Sequence, residues 1–262
     1  MTLAPYLIDT HCHLDFNHDE KSVSELVKEA KASGVGKLIT INTEMELIEK
    51  VQSISEQYPN VYHTIGVHPH DVSKMKPGAV TDLEKAAQHE KCVAIGEIGL
   101  DYYYENSPKD IQKQKLKEQL DLALKCELPV VIHTRDAEQD TLDLLTPYAK
   151  SVRGRPLGVI HCFTASEAFG HKCIQLGFYI SFSGILTFKK AADLRVAAQN
   201  YPLNRLLVET DSPFLAPEPY RGKRCEPFMV VQTAKMLAKI RAQSFEEIQH
   251  ATTKNAENLF KI

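Results

Sequence analysis

The sequence predicts an α/β fold, a single (β/α)8 TIM barrel spanning residues 1–262 with an extra C-terminal helix. Three observations carry this expectation. Short apolar runs rich in β-branched residues alternate with longer helical patterns about eight times along the chain. The length, 262 residues, is close to that of one such barrel. No Gly-rich phosphate loop follows an early run, as the competing open doubly wound sheet would favour.

The expected strands, in order, are residues 7–14, 37–42, 61–69, 93–101, 129–136, 157–163, 178–184 and 206–212. Each is rich in Val, Ile, Leu, Thr or Tyr and bounded by Gly, Pro or charged residues. After the first, over 21–33, Val23, Leu26, Val27 and Ala30 recur at helical spacing. Further helical patterns cover 44–58, 110–127 and 191–200. The closing stretch, 228–261, reads as two helices broken near residues 242–244. No linker or low-complexity segment interrupts the alternation, so one domain is expected.

Hydrophobic residues make up 43% of the chain and charged residues 25%, enough apolar material for one large core. No apolar run approaches the roughly 20 residues of a membrane helix. The opening residues lack the basic and apolar regions of a signal peptide. The six cysteines are scattered and form no C-x-x-C pair, so reduced thiols and a cytosolic location are expected. A net charge of −3 argues against a long nonspecific footprint on nucleic acid, though not against a short substrate end.

Chemistry concentrates where the strands end. His11 and His13 share a face of the first strand, with Cys12 between them turned toward the helix layer. Glu97 lies in AIGEIGLD of the fourth strand, His133 in VVIHTRD of the fifth, His161 in GVIHCF of the sixth and Asp211 in LLVETDSP of the eighth. All six fall toward C-terminal strand ends, where barrel active sites assemble. Burying such a set without partners would cost several kcal/mol, on the order of a few for each group, so a metal site is expected. Imidazole with carboxylate suits Zn, Mn, Ni or Mg.

Taken together, D-T-H-C-H-L-D, G-V-H-P-H, A-I-G-E-I-G-L-D-Y-Y, H-T-R-D-A, H-C-F-T and V-E-T-D-S-P resemble the TatD family of metal-dependent deoxyribonucleases, among the amidohydrolase-like barrels. They run in family order from Asp9 to the T-T-x-N ending at Asn255. The resemblance implies a metal-dependent nuclease, often a 3′ to 5′ exonuclease on DNA. It also implies two divalent cations, one held by His11, His13, Glu97 and Asp211, the other by Glu97, His133 and His161. Two cations roughly 3.5–4 Å apart need an anionic bridge, and Glu97 is the candidate. Lys91, the nearest lysine, precedes the strand and does not offer a carboxylated alternative. Such a pair would polarise a phosphodiester and acidify a water between the ions. Asp211 is placed to orient that hydroxide and move its proton.

Further residues are expected around this centre. Glu209 shares a face with Asp211 and is either a carboxylate behind the ligands, a ligand to a further ion, or a core ion pair. His68 and His70 are expected to bind the substrate phosphate, against a purely structural cap. Arg135, on the face of His133, suits phosphate or an inner carboxylate. Tyr102, Tyr103, Tyr104 and Phe163 are candidates to stack on unpaired bases or to pack as a lid. Arg221, Lys223 and Arg224 offer phosphate contacts or plain solvated charge, and Cys225 replaces the family's Asn before E-P. Cys12 and Cys162 read as packing residues. Single-stranded DNA or a DNA end is the expected partner, with no membrane and no obligate protein partner. The alternatives are hydrolysis of a small amide, lactone or phosphoester, and a non-catalytic metal-binding scaffold.

Overall fold

The computed structural model describes residues 6–16 and 21–262. Eight strands lie parallel in one sheet in chain order: β1 Leu7–Cys12, β2 Val35–Thr40, β3 Val61–Ile65, β4 Cys92–Asp101, β5 Val130–Arg135, β6 Gly158–Ile160, β7 Tyr179–Phe182 and β8 Leu206–Val208. Helices α1 Val23–Ala32, α2 Ile48–Gln57, α3 Ala79–Ala86, α4 Lys109–Lys125, α5 Glu138–Ser151, α6 Glu167–Leu176 and α7 Ala192–Asn200 separate successive strands, and α8 Val230–Arg241 and α9 Phe245–Phe260 follow the last. The expected (β/α)8 barrel with an extra C-terminal helix is therefore the observed fold. The sheet closes where His13 N–H donates to Ser212 O (2.8 Å) and Asp211 N–H to His11 O (2.9 Å).

Strand alternation sorts the side chains. Leu7, Leu38, Val130, Ile160, Leu206 and Val208 pack outward against the helix ring. Their neighbours Ile8, Ile39, Val131, Val159 and Leu207 form a separate inner cluster. That inner cluster also takes Ala256, Leu259 and Phe260, so α9 closes the floor of the barrel. The T-T-x-N motif fixes it there: Thr253 Oγ1 donates to Tyr6 O (2.7 Å), and Asn255 Nδ2 to Leu203 O and Leu206 O (2.9 and 2.8 Å). The break before α9 falls where the sequence places it. Ala242 ends α8 with φ +50, and Ser244 and Glu247 form a reciprocal capping box.

Several strands are shorter than their apolar runs, because regular pairing stops where the chain turns to deliver polar groups. β3 ends at Ile65 rather than continuing through His68, and the backbone beyond it is held by a helix instead. Gln119 of α4 exchanges hydrogen bonds with Val67 N–H (2.8 Å) and Val67 O (3.1 Å), and Gln112 does the same for Asp101 (2.7 and 2.9 Å). Both glutamines are fully buried. They satisfy backbone groups that no neighbouring strand reaches. Gly99, opposite His133, permits the closest β4–β5 approach; a Cβ there would lie 1.9 Å from His133 O. No helix among the described residues is long and apolar enough to cross a membrane.

Replacing Asn255 with Leu leaves two buried carbonyls without donors, at about 1–3 kcal/mol each. The expected outcome is a Tm lowered by about 4–10 °C, measured by thermal unfolding. An unchanged Tm would show that the two Asn255 hydrogen bonds do not help to hold α9.

Candidate metal centre

Glu97 occupies the middle of the barrel mouth, on the longest strand. Its backbone N–H donates to Asn42 O (2.9 Å), and Asn42 is itself fixed by Nδ2 donation to Gly66 O (2.6 Å) and Glu44 O (3.0 Å). The two carboxylate oxygens face different partners. Oε2 lies 3.3 Å from His11 Nε2. Oε1 lies 2.8 Å from His161 Nε2, 3.2 Å from His133 Nδ1 and 3.3 Å from His68 Nε2. Asp211 Oδ1 adds to the first side, 3.6 Å from His11 Nε2 and 3.5 Å from His13 Nε2. The rings of His11 and His161 stack at 3.9 Å across the divide.

All six residues expected as ligands are thus brought together at one point. Regular β structure does not deliver them alone. His13, His161 and Asp211 lie just beyond their strands, and Asp211 takes φ +61, a left-handed conformation that Asp tolerates better than most residues. Donor atoms converge in three groups: His11, His13 and Asp211; His11, His161 and Glu209; and His68, Glu97 and His133. His68 therefore joins the inner cluster, closer to Glu97 than a substrate contact requires. Because His68 Nδ1 accepts the His70 backbone N–H (3.2 Å), its Nε2 carries the proton that faces Glu97. His70 sits further out, on Asp101.

Burial favours a neutral Glu97, but the imidazoles of His161, His68 and His11 outweigh it and hold the carboxyl well below its usual range. Burial likewise opposes charge on His161 and His133, yet Glu97 and Glu209 push the first well above the ordinary imidazole value, and Asp101 and Glu97 raise the second. Burial and the neighbouring His161 lower His11, and burial brings His68 down to about 4.

The residues fit a divalent cation. Both ring nitrogens of buried His11, and Glu209 Oε2, have no hydrogen-bond partner, an arrangement that costs stability unless something else meets them. His161 Nδ1 lies 3.3 Å from Glu209 Oε1 without hydrogen-bond geometry. The donors are nitrogen and oxygen only, a set suited to Mg, Mn, Zn or Ni. No thiol belongs to a donor group among the described residues. Cys12 packs in the outer core, and burial pushes the Cys12 and Cys162 thiols up, which leaves both uncharged.

Two residues were not assigned roles from sequence. Asp101, buried at the end of β4, accepts from His133 Nε2 (3.1 Å) and His70 Nε2 (3.0 Å) on Oδ2, and from the Tyr103 and Tyr104 N–H groups (3.0 and 2.9 Å) on Oδ1. It turns His133 so that Nδ1 faces Glu97. The signal was present, since residues 97, 99 and 101 share a strand face. Asp9 is the second. Its carboxylate takes Thr210 N–H (2.9 Å) and Oγ1–H (2.6 Å), tying β1 to the residue before Asp211. Burial raises its pKa to about 8 against those bonds.

The periphery departs from the sequence reading at several points. Glu209 is fully buried and accepts the Cys162 N–H (2.7 Å) behind His161. Arg135 does not pair with an inner carboxylate; its guanidinium lies 4.0 Å from the Tyr103 ring and 4.8 Å from Tyr104, at the cavity wall. Phe163 is not at the mouth. Cys162 takes φ +42, and Phe163 turns into the core against Phe169, Phe182 and Tyr201. Tyr102 is also withdrawn, donating to Asp140 (2.6 Å). Arg221 covers Phe188 at 3.8 Å, and neither it nor Lys223 and Arg224 lines the cavity. Cys225 is fully buried with Ala216 and Met229, where an Asn amide would need partners. The open cavity above Glu97 measures about 790 Å3.

Two measurements test this centre. The carboxylates around His161 and His133 raise both pKa values and so favour ring protons that a cation must displace. Metal binding is expected to release protons and to weaken as pH falls from 8 to 6, read by calorimetric titration with Mn in buffers of different ionisation enthalpy. Binding independent of pH would place the cation elsewhere. Asp101→Asn is expected to lower metal affinity about 10–100-fold, as loss of a carboxylate behind a ligating His commonly does; an unchanged affinity would show that Asp101 only braces the loop.

Comparison with known proteins places this architecture. The TatD related DNase family model matches residues 8–261. The chain is 40% identical to the uncharacterized metal-dependent hydrolase YabD of Bacillus subtilis over 256 residues, covering 98% of this chain and 99% of that one. It is also 40% identical to YcfH of Escherichia coli K12, described in the same words, over 98% of this chain and 96% of that one. The crystal structure of YjjV, a TatD homolog from E. coli K12, superposes with a TM-score of 0.90 at 31% identity, covering 98% of each chain. The chain belongs to the TatD related DNase family of metal-dependent hydrolases.

Proposed function

We propose that this protein is a divalent-metal-dependent phosphodiesterase acting on nucleic-acid ends, a deoxyribonuclease that removes nucleotides from 3′ to 5′. One observation carries the reading: the two oxygens of Glu97 face different imidazoles, Oε2 that of His11 with Asp211 beyond it, and Oε1 those of His133 and His161. A carboxylate so divided suits a bridge between two cations. On this reading His11, His13 and Asp211 would hold one ion with Glu97, and His133 and His161 would hold the other. Bound there, divalent cations supply Lewis acidity to a phosphodiester and lower the pKa of a water.

The chain's own groups supply the rest. Asp211, whose side chain is 15% exposed, stands between the cluster and the cavity and is ionised, so it can take a proton from an attacking water. The planar guanidinium of Arg135 at the cavity wall suits phosphate oxygens. His70, held on Asp101 through Nε2, also lines the cavity. His68 serves as a donor that stiffens Glu97. Six free thiols fit a reducing compartment, and we place the reaction in the cytosol.

The test is digestion of end-labelled single-stranded DNA with Mg or Mn, followed by product sizing. The expected result is a ladder shortening from the 3′ end, abolished by chelation and reduced at least about 100-fold in Glu97→Gln and Asp211→Asn. Hydrolysis of small amides or lactones with intact DNA would move the reading to another hydrolase chemistry. Metal binding with no hydrolysis of either kind would leave a scaffold.

A further inference from the structure

Among the described residues only five large hydrophobic side chains are exposed: Phe16, Tyr103, Tyr104, Val196 and Phe214. Three of the five, Phe16, Tyr104 and Phe214, line the same cavity, and Tyr103 packs on Tyr104 beside it, giving two groups with different chemistry. Tyr103 and Tyr104 carry the Arg135 guanidinium over their rings, so that wall is cationic. Phe16 and Phe214 form the other group, beside His13 and Asp211, and hold no charge. Their rings meet edge to face at 5.3 Å, and each lies 6.2 Å from the His13 ring.

The Phe pair is built into the site rather than scattered near it. Each residue lies three positions after a member of the donor cluster, and each is set by a turn closing on that member. Phe16 N–H donates to His13 O (3.3 Å), and Phe214 N–H to Asp211 O (2.9 Å). The two rings therefore keep a fixed relation to the His13–Asp211 side. Their exposures, 45% and 46%, leave apolar area in water that folding would otherwise bury. In an edge-to-face pair, the ring that presents its edge has both faces uncovered by its partner. A flat, uncharged, π-faced ligand group fits that surface, and a phosphate does not.

We propose that Phe16 and Phe214 form a stacking subsite for an unpaired nucleobase, in the same cavity as a phosphate-facing wall made by Arg135 and Tyr104. The inference rests on the nuclease reading and adds its specificity: the base, as well as the phosphodiester, is bound. Stacking tolerates any base, because every base has a π-face, so this subsite favours base-bearing ends without reading sequence. It also disfavours duplex ends, whose bases are already stacked.

Two readouts test it. The chain contains no Trp, so Phe214→Trp installs a single fluorophore at the subsite. With Mg present, thymidine monophosphate is expected to quench it saturably, deoxyribose 5-phosphate not to, and Phe16→Ala in the same background to remove the quench. In cleavage, the parent is expected to favour a normal 3′-terminal nucleotide over an abasic one about tenfold in kcat/KM, mainly through KM. Phe16→Ala and Phe214→Ala should reduce that preference below about threefold, and Phe214→Tyr should restore it. Equal cleavage of both ends by the parent, or full preference in the alanine variants, overturns the subsite while the nuclease reading stands. If the parent cleaves no DNA, the nuclease reading falls and the fluorophore decides separately. A base-dependent quench then upholds the subsite, and equal response to both phosphates removes it.

Discussion

A carboxylate withdrawn from water at the centre of a barrel stays charged only if positive or hydrogen-donating groups surround it. Glu97 meets that condition with four imidazoles, on His11, His68, His133 and His161, each within 3.3 Å of one of its oxygens. Four histidines crowded together are as unstable alone as the carboxylate is. Each side of the arrangement makes the other tolerable, and on the histidine side both His11 ring nitrogens and His161 Nδ1 are left without a hydrogen-bond partner. A cluster of this kind has a standing affinity for cations before any substrate arrives.

Much of the surrounding structure exists to keep those groups aimed. Asp101 sets His133, Glu209 stands behind His161, and Asn42 fixes the strand position of Glu97. Asp9 holds β8 against β1 through Thr210, which brings Asp211 to the His11–His13 side. Gln112 and Gln119 replace missing strand partners, so the chain leaves the sheet before His68 and after Asp101 without stranding its backbone groups. Side chains behind the centre are thus about as numerous as those within it, as is usual where geometry must be held closely.

The barrel and the six inner residues were legible in the sequence for a physical reason. Alternation and strand–helix periodicity are local properties, and H-x-H at a strand end is a local pattern. Asp101 and Asp9 were harder to see because their roles depend on partners far along the chain: Asp9 meets Thr210 across 201 positions. Phe163 was misplaced because one left-handed residue, Cys162, turned the chain after the strand. Phe16 and Phe214 carried a readable signal, the repeated spacing of three from His13 and Asp211. That spacing gains meaning only once both turns are seen to point toward one cavity.

The closing helix α9 bears on how such a chain comes to be made. It joins the first strand to the last, through Thr253 on Tyr6 O, 247 positions away, and through Asn255 below β8. The donor group of His11, His13 and Asp211 likewise joins residues from the two ends of the barrel, positions 11 and 211. Contacts of this separation carry a high loop-closure cost, since the loop they close takes in nearly the whole barrel. During synthesis the leading strand waits for the trailing one, and a partly made chain holds histidines without the carboxylate that completes them. Hydrolytic competence is therefore tied to completion of the fold, and an unfinished copy offers the cell neither a closed barrel nor an active one.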